Sequence, residues 1–150
     1  MALKDAVSYF TQETHILSSM AVICGTADAQ LQALGGAADL KGTPVTEDTV
    51  YDLASLTKLF TGLLTYRLRD EGLLDLNAPV TRYAPQYAAL TDVTVDRVLG
   101  FELALITPER VDAQPDREAA LAMLHRVQPR ENGFGRAYSD MHAMIIKEVL

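Results

Sequence analysis

The strongest constraint on the fold is a long amphipathic segment between Ser55 and Glu71. Its apolar side chains recur every three or four residues, a spacing that brings them to one face of an α-helix. These positions are Leu56, Leu59, Phe60, Leu63, Leu64 and Leu68. Gly72 follows directly and is a natural stop, because glycine readily adopts the backbone conformation that ends helices. The spacing therefore predicts a helix over 55–71 with a core-facing apolar stripe.

Shorter patterns on both sides predict a mixed α/β fold. Apolar periodicity predicts further helices, which cover 3–17, 94–99, 115–127 and 141–150. Two apolar runs around a turn predict strands of an antiparallel sheet, which cover 20–25 and 30–36. The glycines within 132–135 indicate a flexible loop. Neither a repeat nor a linker divides the chain, so the sequence predicts one domain over residues 1–150.

The composition is that of a globular chain with an acidic balance. Of its 150 residues, 49% are hydrophobic and 22% are charged, which excludes disordered and low-complexity proteins. Thirteen lysines and arginines against twenty aspartates and glutamates give a net charge of −7, which argues against a nucleic-acid partner. No apolar stretch approaches the roughly 18 residues of a membrane span, so we expect none.

The N-terminal residues and the single cysteine bear on where in the cell the protein is expected to reside. Polar and charged residues from Asp5 onward interrupt the start of the chain before a signal-peptide core can form. Cys24 is the only cysteine and cannot form an internal disulfide, so nothing demands an oxidising compartment. We therefore expect a cytoplasmic protein in which Cys24 is a buried structural thiol within its apolar run.

A hydroxyl and an amine lie three residues apart at the start of the predicted helix, at Ser55 and Lys58. Side chains at i and i+3 of a helix project to nearly the same side and can touch. An amine beside a serine can accept its proton once burial and neighbours lower the pKa of the amine. Chance alone gives roughly 0.13 such pairs in this composition. Two interpretations stay open for this pair: a nucleophilic serine assisted by the amine, or a serine that caps the helix beside a solvated lysine. Neighbouring motifs must decide between them.

Those neighbouring motifs resemble one protein superfamily. Residues 52–61 read DLASLTKLFT, residues 70–80 read DEGLLDLNAPV, and Tyr138-Ser139-Asp140 precedes the last apolar helix. They resemble the serine β-lactamase and penicillin-binding-protein superfamily, in its class C-like branch with D-alanyl-D-alanine carboxypeptidases and esterases. The resemblance covers about residues 20–150 and is most specific over 50–80. It implies a serine β-lactamase-like α/β fold.

The resemblance also implies an activity and a set of site residues. In this superfamily the serine is acylated, which here is Ser55, and the lysine that helps to deprotonate it is Lys58. Tyr138 takes the position of the general base that relays the proton to the leaving group. The implied substrate is a small molecule: a β-lactam, a D-Ala-D-Ala-type peptide or a small ester. No cofactor or metal is implied, and none of the three histidines shows metal-ligand spacing; these are His15, His125 and His142.

Departures from the superfamily pattern keep an alternative open. Asp140 stands where an asparagine amide usually grips the substrate, and a carboxylate accepts hydrogen bonds but cannot donate one. The usual His-Thr-Ser-Gly segment is replaced by Gly100-Phe101-Glu102-Leu103, and no Lys-Thr-Gly or His-x-Gly triplet is present. These differences favour binding of esters or other amides. They also suit a catalytically inactive homologue or fragment that acts as a binding or regulatory module.

The resemblance further implies later strands and a closing helix that the 150 residues do not contain. We expect the N-terminal helix to pack on a two-stranded hairpin whose edges leave backbone groups unpaired. Apolar side chains would then lack their cover, namely Val22, Cys24, Leu31 and Leu34. The sequence thus predicts an incomplete β-lactamase-like domain, inactive by itself and able to pair with another chain through its open sheet edge.

Overall fold

The computed structural model describes residues 2–130 and 136–150. It contains two compact units, residues 1–52 and residues 53–150. The single domain predicted from the sequence stays a prediction. The loop predicted over 132–135 lies outside the described residues.

The first unit is a short helix followed by a β-hairpin. Helix α1 (Leu3–Ser8) continues into one wide helical turn over Tyr9–Glu13. The prediction of a helix to residue 17 is therefore wrong at its C-terminal end. The backbone N–H of Thr14 donates to the Tyr9 carbonyl at 2.9 Å, and His15 then adopts a left-handed φ of 52°. That conformation cannot continue a right-handed helix, so the chain turns away toward the hairpin.

The hairpin pairs β1 (Ser19–Gly25) with β2 (Gln30–Gly36) in antiparallel register, which confirms both predicted strands. Val7 of α1 is buried and covers one end of this sheet, beside Gly35. If Gly35 were replaced by alanine, the added Cβ would lie 2.5 Å from Val7 Cγ1, which is too close. Glycine at this position therefore permits the close approach of helix and strand.

The predicted burial of Cys24 is wrong, because its side chain is exposed. Cys24 pairs with Leu31, which is also exposed, at the turn end of the hairpin. Helix α1 covers the opposite end near Gly35, so it leaves this part of the sheet face open.

The second unit is mainly helical, as the sequence predicts for residues 55–150. Its helices and strands are α2 (Thr57–Asp70), α3 (Val95–Leu99), β3 (Leu105–Ile106), α4 (Arg117–Leu124), β4 (Gln128–Pro129) and α5 (Asp140–Val149). Side-chain caps fix three of the helix starts. Thr94 accepts from the Arg97 N–H before α3, Asp116 accepts from Ala119 before α4, and Ser139 accepts from Met141 before α5.

The boundaries of α4 differ from the predicted 115–127. Asp116 begins the helix by accepting the Ala119 N–H at 2.8 Å, so Pro115 lies just outside it. Residues beyond Leu124 leave the helix, and β4 pairs antiparallel with β3. The prediction missed this pairing because a strand of two residues shows no alternation of apolar and polar positions.

The core of the second unit forms between the connecting segments over 74–105 and helices α3, α4 and α5. Its completely or almost completely buried members are Val80, Tyr87, Leu90, Val95, Val98, Leu124, Val127, Ile145 and Ile146. Within the described residues, no helix combines the length and apolar character needed to cross a bilayer.

The predicted core-facing stripe of α2 is wrong. Five of its six side chains are exposed, and only Leu68 packs against the core. The inward face of α2 instead runs through Lys58, Thr61, Thr65 and Leu68. Thr65 is fully buried, and its hydroxyl is satisfied because it donates to the Thr61 carbonyl at 2.7 Å. Lys58 therefore begins the face of the helix that points into the unit.

Leu124 offers a direct test of this core. Replacing Leu124, which has no exposed surface, with alanine is expected to lower the free energy of unfolding by about 2–5 kcal/mol, because the cavity it leaves is only partly refilled. Chemical denaturation followed by circular dichroism measures this change. Leu40→Ala, at a fully exposed leucine, is the matched control and is expected to change little. Equal midpoints for the two variants would contradict the described core.

Candidate active site

A strained turn presents Ser55 at the start of α2. Residues Ala54–Leu56 form a tight helical turn that leads directly into α2. Ala54 adopts a left-handed φ of 44°, a conformation that costs a non-glycine residue about 1–3 kcal/mol. Strain of this kind concentrates at functional sites. Here it immediately precedes the serine that the sequence singles out.

Lys58 reaches back from the next helical turn to Ser55. Its Nζ lies 3.4 Å from Ser55 Oγ, which is the contact predicted from their spacing of three residues. The Lys58 side chain is only 14% exposed, although Ser55 beside it is open to solvent. The amine is thus held within the unit while the hydroxyl stays accessible.

The remaining two predicted residues come from a distant part of the chain. Lys58 Nζ lies 4.8 Å from the centroid of the Tyr138 ring and forms an ion pair with the Asp140 carboxylate. Asp140 is the first residue of α5 and is largely exposed. The structure therefore brings all four predicted site residues together around one ammonium group.

The electrostatics of the cluster favour a charged lysine. Hydrogen bonding to Asp140, and then to Tyr138, raises the pKa of Lys58 above its usual value. This direction is opposite to the lowered pKa that a neutral lysine base would need, because Asp140 stabilises the ammonium. The contacts of Lys58 therefore favour its ammonium form.

The pKa of Tyr138 shifts in the opposite direction to that of Lys58. Hydrogen bonding with Ser55, and then with Lys58, lowers the pKa of the Tyr138 phenol below its usual value. Both partners donate more readily to a phenolate than to a neutral phenol. The site therefore stabilises the basic form of Tyr138.

Phe101 supports the Tyr138 ring. The two rings are stacked with centroids 5.1 Å apart, and the Ala137 N–H donates to the Phe101 carbonyl at 3.0 Å. Phe101 itself has a left-handed φ of 56°, so a second strained residue lies beside the site. The segment that replaces the superfamily's His-Thr-Ser-Gly therefore contacts Tyr138 directly.

His142, for which the sequence predicts no metal-ligand role, lies next to the site. Its ring is almost fully buried, with Nε2 3.0 Å from the Leu103 carbonyl and Nδ1 3.3 Å from Ser139 Oγ. Because a carbonyl only accepts, Nε2 carries the proton and Nδ1 accepts from the Ser139 hydroxyl. Desolvation by burial is the main cause that lowers the pKa of His142 below its usual value, which favours the neutral ring.

An open cleft of about 620 Å³ extends from the cluster along α5. Its lining includes Ser55, Lys58 and Asp140 together with Arg117, Met144 and Glu148. The Glu148 carboxylate accepts hydrogen bonds from three side chains, those of Gln86, Tyr87 and His125. A small molecule could reach the Ser55 hydroxyl through this cleft.

The other two histidines have different surroundings. His125 bonds to Glu148 at 3.0 Å, and His15 is exposed in the first unit. Across residues 2–130 and 136–150, no group of three or more histidine, cysteine or acidic side chains is arranged to hold a metal ion.

Comparison with known proteins identifies the family. The Beta-lactamase family model matches residues 3–150. The chain belongs to the β-lactamase family, and this confirms the superfamily predicted from residues 50–80 and 138–140. A β-lactamase of Yersinia enterocolitica is 48% identical over 109 residues, and esterase EstB of Burkholderia gladioli is 35% identical over 77 residues.

Solved structures confirm the fold class. A class C β-lactamase in complex with cefoxitin matches with a TM-score of 0.74 at 22% identity, over 97% of this chain and 43% of that one. The D-amino acid amidase of Ochrobactrum anthropi, in complex with D-phenylalanine, matches with a TM-score of 0.70 at 24% identity, over 95% of this chain and 44% of that one. At these identities the likeness concerns the fold.

The chain spans only part of the length of its relatives. The matched segments are 70% of this chain and 28% of the Yersinia β-lactamase, and 51% of this chain and 20% of EstB. These partial matches therefore do not show the activity of the whole protein.

Proposed function

We propose that the protein is a serine hydrolase that forms an acyl-enzyme at Ser55. The observation that carries this proposal is the position of Lys58 Nζ, 3.4 Å from Ser55 Oγ and 4.8 Å from the centre of the Tyr138 ring. Nucleophilic catalysis needs a hydroxyl, a base and a group that orients the base, all within reach of one another. These three residues meet that requirement.

In the acylation step, Ser55 Oγ attacks the substrate carbonyl carbon while its proton passes to the Tyr138 phenolate. The tetrahedral intermediate then collapses, and the bond to the leaving group breaks. Tyr138 returns the proton to the leaving amine or alcohol, and Ser55 is left as an ester. Water next attacks this ester, gives a proton to Tyr138, and releases the acid as the proton returns to Ser55.

Lys58 and Asp140 have supporting roles in this proposal. The Lys58 ammonium favours the phenolate form of Tyr138 and stays charged throughout because Asp140 raises its pKa. Asp140 is 81% exposed at the mouth of the cleft, so its carboxylate also faces incoming substrate. It can accept a hydrogen bond from a substrate N–H or O–H but cannot donate one to an acyl carbonyl.

The proposed substrate is a small ester or amide, with β-lactams and D-Ala-D-Ala-type peptides included. The names of the relatives support this range, since they comprise β-lactamase, esterase and D-amino acid amidase. Because the Asp140 carboxylate only accepts hydrogen bonds, it cannot bind an acylamino carbonyl that needs a hydrogen-bond donor. Esters and simple amides are therefore the preferred substrates in this proposal.

A covalent probe tests the proposal on the complete protein. A fluorophosphonate or a fluorescent penicillin is expected to label wild type at Ser55, as located by peptide mass spectrometry, and Ser55→Ala should lose all labelling. Ser18→Ala changes an exposed serine of the first unit and should label normally. Labelling that survives in Ser55→Ala would refute the nucleophile. No labelling of wild type by either probe would favour the inactive binding module.

A further inference from the structure

We propose that His142 is a positioning residue that holds Tyr138 in reach of Ser55 and Lys58. This inference rests on the proposed function, in which Tyr138 moves the proton. His142 lies four residues after Tyr138, within α5, and is 1% exposed. It contacts neither the Ser55 hydroxyl nor the open cleft, so any effect on the reaction must pass through other residues.

The first connection runs through Ser139, the residue that follows Tyr138. The His142 ring bridges the Leu103 carbonyl at 3.0 Å and the Ser139 hydroxyl at 3.3 Å. Ser139 is the residue after Tyr138, and its Oγ also accepts the Met141 N–H that begins α5. His142 therefore ties the start of α5 to the segment that carries Phe101.

The second connection runs through the aromatic rings. Phe101 stacks on Tyr138 at 5.1 Å and contacts the His142 ring at 4.9 Å, so it lies against both. Phe101 keeps a left-handed φ of 56°, which must be held by its surroundings because an isolated residue would relax. Its tilted ring contact with His142 and the bond from His142 to Leu103, two residues further along the chain, supply that restraint.

The surroundings of His142 favour a neutral ring with a fixed tautomer. The polar groups bonded to it are the Leu103 carbonyl, the Ser139 hydroxyl and the Ser139 backbone carbonyl, none of which is charged. Lys58 is among the residues that line the same cavity of about 30 Å³, and its positive charge disfavours a second cation on the nearby imidazole. The bridge therefore requires Nε2 as donor and Nδ1 as acceptor.

Small displacements of Tyr138 should be costly for the reaction. The basic form of Tyr138 depends on its hydrogen bonds with Ser55 and Lys58, and these weaken steeply with distance. Loss of the His142 bridge is expected to let the ring move and the pKa of Tyr138 rise toward its ordinary value. A misplacement of about 1 Å can cost a catalytic step about 100-fold.

Three variants of the complete protein separate this role from simple stability. His142→Leu fills the space without hydrogen bonds, His142→Asn retains a polar group near Ser139, and His142→Gln can still donate to Leu103. We expect acylation of Ser55 by a fluorescent penicillin or a chromogenic ester to slow about 10- to 100-fold in His142→Leu and His142→Asn. The pH midpoint of acylation should move upward in both, and His142→Gln should recover much of each loss.

His15→Asn is the matched control, since His15 is exposed in the first unit and asparagine tolerates its positive φ. Folded fractions are measured by circular dichroism, and rates are compared per folded molecule. If His142→Leu does not fold, the comparison of His142→Asn with His142→Gln decides. Unchanged pH midpoints and rates per folded molecule would overturn the inference while labelling of wild type at Ser55 upholds the proposed function. Absence of wild-type labelling would overturn both.

Discussion

Replacing Lys58 with methionine is expected to slow acylation of Ser55 by about 10²–10⁴-fold, the range over which proton-transfer catalysis usually contributes. Methionine retains most of the apolar stem of lysine and removes only the ammonium. That ammonium is shared by the Ser55 hydroxyl, the Tyr138 ring and the Asp140 carboxylate. Its loss therefore removes the cation that lowers the pKa of Tyr138 and leaves Asp140 as an uncompensated negative charge beside the base.

The measurement is the rate of acylation by a chromogenic ester in the complete protein, recorded over a range of pH. Lys41→Met, at an exposed lysine of the first unit, is the control and should behave as wild type. Asp140→Asn provides a graded comparison, because it removes the countercharge but leaves the Lys58 ammonium in place. A Lys58→Met variant that acylates at the wild-type rate would show that the cation has no part in the step.

The Ser55–Lys58 contact could be predicted from sequence because it is local. An i, i+3 pair on a helix is brought together by helical geometry alone, and the observed distance of 3.4 Å needs no tertiary information. Caps could be predicted for the same reason, as with Thr94 before α3. The proximity of Tyr138, in contrast, depended on the family resemblance, since no local rule joins residues 80 positions apart.

The apolar face of α2 could not be predicted from periodicity. Helical spacing identifies which side chains share a face, but it does not say which neighbour covers that face. Here Leu59 and Leu63 are exposed, whereas the adjacent face with Thr65 is buried against the unit. A threonine satisfied by its own helix backbone is easily buried, so polarity was a poor guide to the inward side.

The support around Tyr138 was missed for a different reason. Phe101 and His142 are separated by 41 positions, and their contact at 4.9 Å depends on the packing of α3 against α5. One local signal was nevertheless present. His142 lies three residues after Ser139 on a helix that begins there, a spacing that returns its ring to the first helical turn.

Replacing Tyr138 with phenylalanine is expected to lower kcat by about 10²–10⁴-fold with little change in KM, because the variant lacks only a group used in proton transfer. The phenylalanine ring can keep the stacking on Phe101, so the site should retain its shape. Tyr66→Phe alters a tyrosine elsewhere on α2, where the ring contacts Arg69, and should leave kcat unchanged.

The rate of acylation is expected to depend on pH through the ionisation of Tyr138. Below the pKa of Tyr138 the phenol is neutral and cannot accept the Ser55 proton, so wild-type acylation should rise with pH as the phenolate forms. Because hydrogen bonding with Ser55 and Lys58 lowers this pKa, the midpoint should lie below the value of about 10 that is ordinary for tyrosine. Lys58 does not reverse the trend, since Asp140 raises its pKa and keeps it charged over the same range. Tyr138→Phe should lose the rising limb, and a variant that kept it would assign the proton to another base.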